Sequence, residues 1–225
     1  MRSFASDNNS GVHPLVMDAL QRANEDHALG YGSDKWTDEA VAMLKESFTP
    51  ACESLFVFNG TGSNIVALQL MVRPFHSIIC AETAHIYVDE CGSPVKNTGA
   101  QIRPVLTPDG KLTPELIRPY LHGFGDQHHS QPGAIYLSQC TELGTVYTPV
   151  ELKALTSLAH EHGMYVHMDG ARIANACAYL KTSLKEITAD CGIDVLSFGG
   201  TKNGLMMGEC VVIFNEELKA SAAFV

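Results

Sequence analysis

The 225-residue chain has no apolar run approaching the ~20 residues a helix needs to span a bilayer. It has no Cys-x-x-Cys pair either. Its seven cysteines, at 52, 80, 91, 140, 177, 191 and 210, are an odd, scattered set that reads as reduced, mostly packed thiols. Positive charge is scarce: 15 Lys and Arg against 25 Asp and Glu give a net charge of −10, which argues against nucleic acid or an anionic membrane surface as partner. An anionic cofactor is still admissible, because backbone N–H groups and a few local cations can bind phosphate inside an acidic protein. Met1-Arg2-Ser3-Phe4 leads into polar residues rather than a signal-peptide core, and no internal repeat is evident. The expectation is a soluble, cytoplasmic protein. What is present is apolar content: at 45% it suffices for one large domain, or a domain with an appendage.

Helix and strand signals alternate, favouring an α/β layer structure with a largely parallel sheet. Helices are expected over Pro14–Ala28, Thr37–Phe48, Ser63–Met71 and Pro149–His162. The last is the best marked. Thr148 and Glu151 form a capping box, Pro149 opens the first turn, and Gly163 stops the helix. A second capping box is expected at Ser183-Leu184-Lys185-Glu186. Strands are expected at Ser54–Phe58, Ser77–Ala81, Gln101–Leu106, Ala134–Ser138, Tyr165–Met168, Val195–Phe198 and Cys210–Phe214. The His- and Gly-rich stretch from His122 to Pro132 reads as an exposed loop. From Asn215 the chain starts like a helix and reads as ending inside an element.

Three segments carry chemistry. Phe58-Asn59-Gly60-Thr61-Gly62-Ser63-Asn64 runs from a strand into a small-residue turn that opens a helix, an arrangement suited to an anion but equally to an ordinary tight turn. Val166-His167-Met168-Asp169-Gly170-Ala171-Arg172 ends an apolar strand in an acid. A buried aspartate there needs a partner, either a protonated pyridine nitrogen or Arg172 in a structural salt bridge. Ser197-Phe198-Gly199-Gly200-Thr201-Lys202-Asn203-Gly204 sets a lysine in a permissive glycine loop after a strand, where it is either a solvated lysine or a nucleophilic amine. His85 could stack on a ring or move a proton, or be a satisfied half-buried histidine. The three segments in order suit pyridoxal phosphate bound as a Schiff base. His128 and His129 match no metal-ligand spacing.

These residues, with Ser6-Asp7-Asn8-Asn9-Ser10-Gly11 and Gly30-Tyr31-Gly32-Ser33-Asp34, resemble the threonine aldolase branch of the β-eliminating lyases across nearly the whole chain. The resemblance implies the pyridoxal-phosphate-dependent transferase-like fold (fold type I), an α-β-α sandwich around a mostly parallel sheet. Residues 1–30 would be an N-terminal segment and helix, 31–225 the cofactor-binding large domain, and a smaller C-terminal domain would be missing. It also implies roles. Lys202 would hold the cofactor, Asp169 pair with its ring nitrogen, His85 stack on the ring, and Gly60, Thr61 and Gly62 take the phosphate. Arg172 would grip the substrate carboxylate, with Ser6 and Thr141 as further substrate contacts. Where related bacterial enzymes carry a second histidine, this chain reads Ser138-Gln139-Cys140-Thr141-Glu142, leaving His85, this cluster or water to handle the substrate hydroxyl.

The implied activity is retro-aldol cleavage of threonine or a related 3-hydroxy amino acid to glycine and an aldehyde, in a homodimer or homotetramer with active sites at the interface. The alternatives are β-elimination or racemisation with the same cofactor, or a fragment that binds the cofactor without turnover.

Overall fold

The structure, a computed structural model, describes residues 3–225. Among them one sheet is built from β1 (Glu53–Val57), β2 (His76–Ala81), β3 (Gln101–Val105), β4 (Gln131–Ser138), β5 (Tyr165–Gly170), β6 (Val195–Gly199) and β7 (Glu209–Ile213). The spatial order is β1-β7-β6-β5-β4-β2-β3. Four pairings are parallel, and β7 alone runs against both of its neighbours. The helices are α1 (Pro14–Ala23), α2 (Lys35–Ser47), α3 (Gly60–Met71), α4 (His85–Val88), α5 (Ser93–Thr98), α6 (Pro114–Ile117), α7 (Pro149–Glu161), α8 (Ile173–Leu180) and α9 (Glu216–Lys219). This is the α/β sandwich with a mostly parallel sheet that the sequence implies.

Strand residues alternate between two apolar layers, as a pleated chain must. On one side Ile79, Ala81, Ile135, Leu137, Val166, Met168 and Leu196 pack with Leu152, Leu155 and Ala159 of α7 and with Ile173 and Ala176 of α8. On the other, Ile78, Cys80, Ala134, Tyr136, Val195 and Val211 meet Ala67, Leu68 and Met71 of α3. Period two therefore sends His167, Asp169 and Ser197 to the α3 side. Facing them, Ser63 and Asn64 begin the stripe that Ala67, Leu68 and Met71 continue, at the spacing of one helix face. Polar groups from strand and helix thus meet at one end of an apolar layer.

Several boundaries differ from expectation, each for a local reason. α1 stops at Ala23 rather than Ala28, because the Asn24 N–H closes on the Leu20 and Gln21 carbonyls and Asp26 takes a positive φ of 58°. α2 starts at Lys35, capped by Asp34. α3 starts three residues before Ser63, because Asn59 caps it by accepting from the Gly62 N–H at 2.8 Å. The capping box of α7 forms as expected. Ser183 and Glu186 also make reciprocal capping bonds, of 2.8 and 3.3 Å, but close only a turn that ends at Gly192 with φ 82°. The His122–Pro132 stretch is a loop as far as Ser130, after which Gln131 and Pro132 begin β4. After β7 the chain forms α9 and a 3-10 turn over Ala222–Phe224.

Candidate active site

At the carboxyl ends of β5 and β6, beside the start of α3, lies a cleft of about 210 Å³. Its lining includes Gly60, Thr61, His85, Glu142, Asp169 and Lys202, with Asn8, Asn59, Asn64 and Glu209. Open parallel sheets place ligand groups at such strand ends.

Asp169 closes β5 and is 8% exposed. Its Oδ2 accepts from the Tyr136 hydroxyl at 2.6 Å and from Asn64 Nδ2 at 3.0 Å, and its Oδ1 accepts from the Ala171 N–H at 3.0 Å. The expected alternative, a salt bridge to Arg172, does not form. Burial pushes the carboxyl pKa up, but the bonds from Tyr136, Ala171 and Asn64 outweigh it and hold the group below its ordinary value. Asp169 is therefore an ionised, buried carboxylate with no cationic partner among the described residues.

Asn64 ties this acid to a second one. Its Nδ2 also donates to Glu90 Oε1 at 2.7 Å, and the same oxygen lies 2.8 Å from His85 Nδ1. That bond to Glu90 raises the His85 pKa against the opposing effect of burial. On the other side of Asn64, its Oδ1 accepts from the Ser197 hydroxyl at 2.9 Å. Ser197 in turn receives Ser63 at 2.8 Å and His167 Nε2 at 3.0 Å. Ser197 has one proton, already given to Asn64, so His167 must carry its proton on Nε2. Burial depresses the His167 pKa to about 4, which keeps the ring neutral.

Lys202 sits on a 3-10 turn, Thr201–Asn203, directly after β6. Asn203 Nδ2 pins the turn to the carbonyls of Ala171, at 3.2 Å, and Gly199, at 2.9 Å. Glu209 accepts from the N–H groups of Gly200 and Thr201 at 3.1 and 3.3 Å. The sequence suggested that Gly199 and Gly200 supply flexibility, but the structure gives a different reason. A Cβ at Gly199 would lie 2.6 Å from Ala171 Cα, and one at Gly200 would lie 2.7 Å from the Gly208 carbonyl oxygen. Glycine is needed there for close approach, and the contact brings the lysine turn against the turn that follows Asp169. Positive φ enters only at Gly204, with 96°.

Other expected site residues take local partners. Arg172 is bidentate on Asp7, with Nε at 2.6 Å and Nη2 at 3.2 Å, and its Nη1 lies 3.8 Å from Glu142. The hydrogen bond between them lowers the Asp7 pKa and raises that of Arg172. The Ser6 hydroxyl caps the Asn8 N–H at 3.2 Å. Thr141 is buried with its hydroxyl 2.7 Å from Thr145 Oγ1, so its neighbour Glu142 faces the cleft instead. The Gly62 N–H is spent on Asn59, and a Cβ there would meet the Asn59 oxygen at 3.2 Å, whereas a Cβ at Gly60 would meet nothing within 4 Å. Sequence reasoning singled out neither Asn64, Glu90, Tyr136, Ser197 nor Asn59. Their one local signal is a polar side chain inside an apolar pattern.

The arrangement can hold an anion at the first turn of α3, a cationic ring nitrogen at Asp169 and a carbonyl carbon at the Lys202 amine. Comparison with known proteins points the same way. A low specificity L-threonine aldolase from Pseudomonas aeruginosa is 45% identical over 218 residues, covering 96% of this chain and 63% of the relative. An alanine racemase from Cochliobolus carbonum is 30% identical over 164 residues, covering 71% of this chain and 41% of that one. A solved threonine aldolase from Leishmania major superposes with a TM-score of 0.92 at 33% identity, covering 99% of this chain and 65% of that structure. The chain thus spans a little under two thirds of the length of the Pseudomonas aeruginosa and Leishmania major threonine aldolases that it matches. The β-eliminating lyase family model matches residues 3–225, essentially every residue described above, and the chain belongs to that family.

Proposed function

We propose that the chain is the large domain of a pyridoxal-phosphate-dependent aldehyde-lyase that cleaves threonine, or a related 3-hydroxy amino acid, to glycine and an aldehyde. The observation that carries this reading is the buried, ionised Asp169, which lacks a cation and opens onto the same cleft as Lys202. An uncompensated buried carboxylate is costly, and a protonated pyridine nitrogen would complete it. The residues present fit the cofactor. Lys202 would carry it, Gly60 and Thr61 at the start of α3 would take its phosphate, and His85 would lie against its ring. Bound there, pyridoxal phosphate supplies a cationic ring that takes up the electron pair left on Cα when the Cα–Cβ bond breaks.

The chain's own groups do the remainder. Tyr136 and Asn64 fix Asp169 in its ionised form, so that it can hold a proton on the ring nitrogen. Glu90 orients His85 through Nδ1 and leaves Nε2 free to face the cleft. For Arg172 to grip the substrate carboxylate, that carboxylate must replace Asp7 on the guanidinium. Assembly as a homodimer or homotetramer belongs to the same proposal. It is supported by an apolar groove lined by Ala40, Met43, Leu44, Phe56, Leu205 and Met207.

The similarity to an alanine racemase supports a second reading, in which the same groups exchange the Cα proton and leave the side chain attached. An absorbance spectrum of the purified chain with pyridoxal phosphate, before and after L-threonine, followed by product analysis, separates the two. Glycine and acetaldehyde are expected from L-threonine. Epimerised amino acid without glycine would replace the first reading with the second. Lys202→Ala should abolish the visible band, and a variant that keeps it would refute the role of Lys202.

A further inference from the structure

We propose that Glu142 is the base that takes the β-hydroxyl proton of the substrate, an assignment that rests on the retro-aldol reading above. The cleft holds five titratable side chains, His85, Glu142, Asp169, Lys202 and Glu209, and four of them are unsuited to that task. Asp169 is committed to three donors. Glu209 spends both oxygens on the backbone of the lysine turn. His85 is given to the face of the cofactor ring in that reading, with its Nδ1 tied to Glu90 Oε1 at 2.8 Å. Lys202 is the amine that carries the cofactor. Glu142 remains. No donor among the described residues hydrogen-bonds its carboxylate, and its nearest cation is Arg172 Nη1, at 3.8 Å.

The turn that carries Glu142 is also pinned on both sides. The Thr141 N–H donates to the Thr145 carbonyl at 2.9 Å, the two threonine hydroxyls meet at 2.7 Å, and the Gly144 N–H returns to the Thr141 carbonyl at 2.9 Å. Gln139 clamps Tyr147 through two bonds of 2.8 and 3.0 Å. A rigid turn therefore presents this carboxylate to the cleft. Its surroundings tune it as a base requires. Burial raises its pKa, Asp169 adds to the rise, and Arg172, His85 and Lys202 oppose it without cancelling it.

The chemistry balances without a further reactant. The carboxylate accepts the hydroxyl proton, and the O–H electron pair becomes the second bond of the aldehyde carbonyl. The Cα–Cβ pair stays with Cα and the aldehyde departs. Glycine gains one proton at Cα, equal to the one taken from oxygen.

The test uses the chain loaded with pyridoxal phosphate, comparing wild type with Glu142→Gln and Glu142→Asp. Glu142→Gln is expected to lower the rate of threonine and phenylserine cleavage by roughly 10²- to 10⁴-fold, the usual worth of a general base. Cofactor affinity, measured by fluorescence, and exchange of the glycine α-proton in D₂O should stay unchanged, because neither involves a hydroxyl. Glu142→Asp should recover part of the cleavage rate. Cleavage by Glu142→Gln close to the wild-type rate overturns the assignment alone, and so does parallel loss of cleavage and glycine exchange. A wild-type chain that binds no pyridoxal phosphate, or cleaves neither substrate, overturns the underlying reading and this assignment with it.

Discussion

Asn64 offers the sharpest test of the buried polar network. One amide nitrogen serves two carboxylates, Glu90 at 2.7 Å and Asp169 at 3.0 Å, in a residue that is 1% exposed. A hydrogen bond to a charged group contributes about 1.5–3 kcal/mol net. Asn64 lines the cleft, so water can enter beside a truncated side chain, and the lower end of that range applies to each bond. Asn64→Ala should then cost about 3 kcal/mol, which for a chain of this size lowers Tm by about 6–12 °C. Asn64→Asp keeps the shape but replaces the shared donor with a third acceptor, and should be worse than alanine at pH 7. Asp169 has a folded-state pKa below its ordinary 3.8, so its contribution is present above that pH and is lost as the pH falls through the folded value. The gap between wild type and Asn64→Ala should accordingly narrow in acid. Calorimetry or urea unfolding across pH checks both points. If Asn64→Asp unfolds at neutral pH with the wild-type midpoint, the amide does not bridge two anions and the network described here is wrong.

Two further predictions concern stability. Asp194 accepts from His160 Nε2 at 2.9 Å, from the Val166 N–H at 2.7 Å and from Asn215 Nδ2 at 2.6 Å, joining α7, β5 and the start of α9. The bond to Asp194 raises the His160 pKa above 6.5 against burial, so its contribution is fully present below that value and is lost as the pH rises through the folded-state pKa. Because the imidazole is 44% exposed, His160→Gln should cost only about 1 kcal/mol or less at pH 5.5 and still less at pH 9, as measured by urea unfolding. Gly199→Ala, with its Cβ forced to 2.6 Å from Ala171 Cα, should lower stability by about 1–3 kcal/mol and weaken pyridoxal phosphate binding, because the two site turns must part. Unchanged cofactor affinity in that variant would show that the turns are not coupled.

The sheet was legible because each strand carries its own apolar pattern, and the best-marked helix because Thr148, Pro149, Glu151 and Gly163 all punctuate it. Lys202, Asp169, His85, Gly60 and Thr61 could be singled out because each stands at an element boundary, where a chemical group in a local motif stands out. The network between them could not. Asn64 meets Asp169 across 105 residues and Ser197 across 133, and no local pattern encodes such a pair. Glu90 belongs to none of the motifs read from the sequence, yet it is 4% exposed and bonded to His85. Thr141 and Glu142 show the finest limit. Adjacent residues of one turn face opposite ways, and only the bond from Thr141 to Thr145 decides which of them reaches the cleft.

Between Gly199 and Ala171 main-chain atoms meet directly, and the Asn203 amide fastens the carbonyls on both sides. The offset between the acid's turn and the amine's turn is therefore set by peptide geometry and that one side chain. Substitutions elsewhere in the core could loosen the protein considerably before altering that offset. Variation in what the cleft admits would then rest on other side chains that line it, such as Asn8, His85 and Glu142, while the span between Asp169 and Lys202 stays constant.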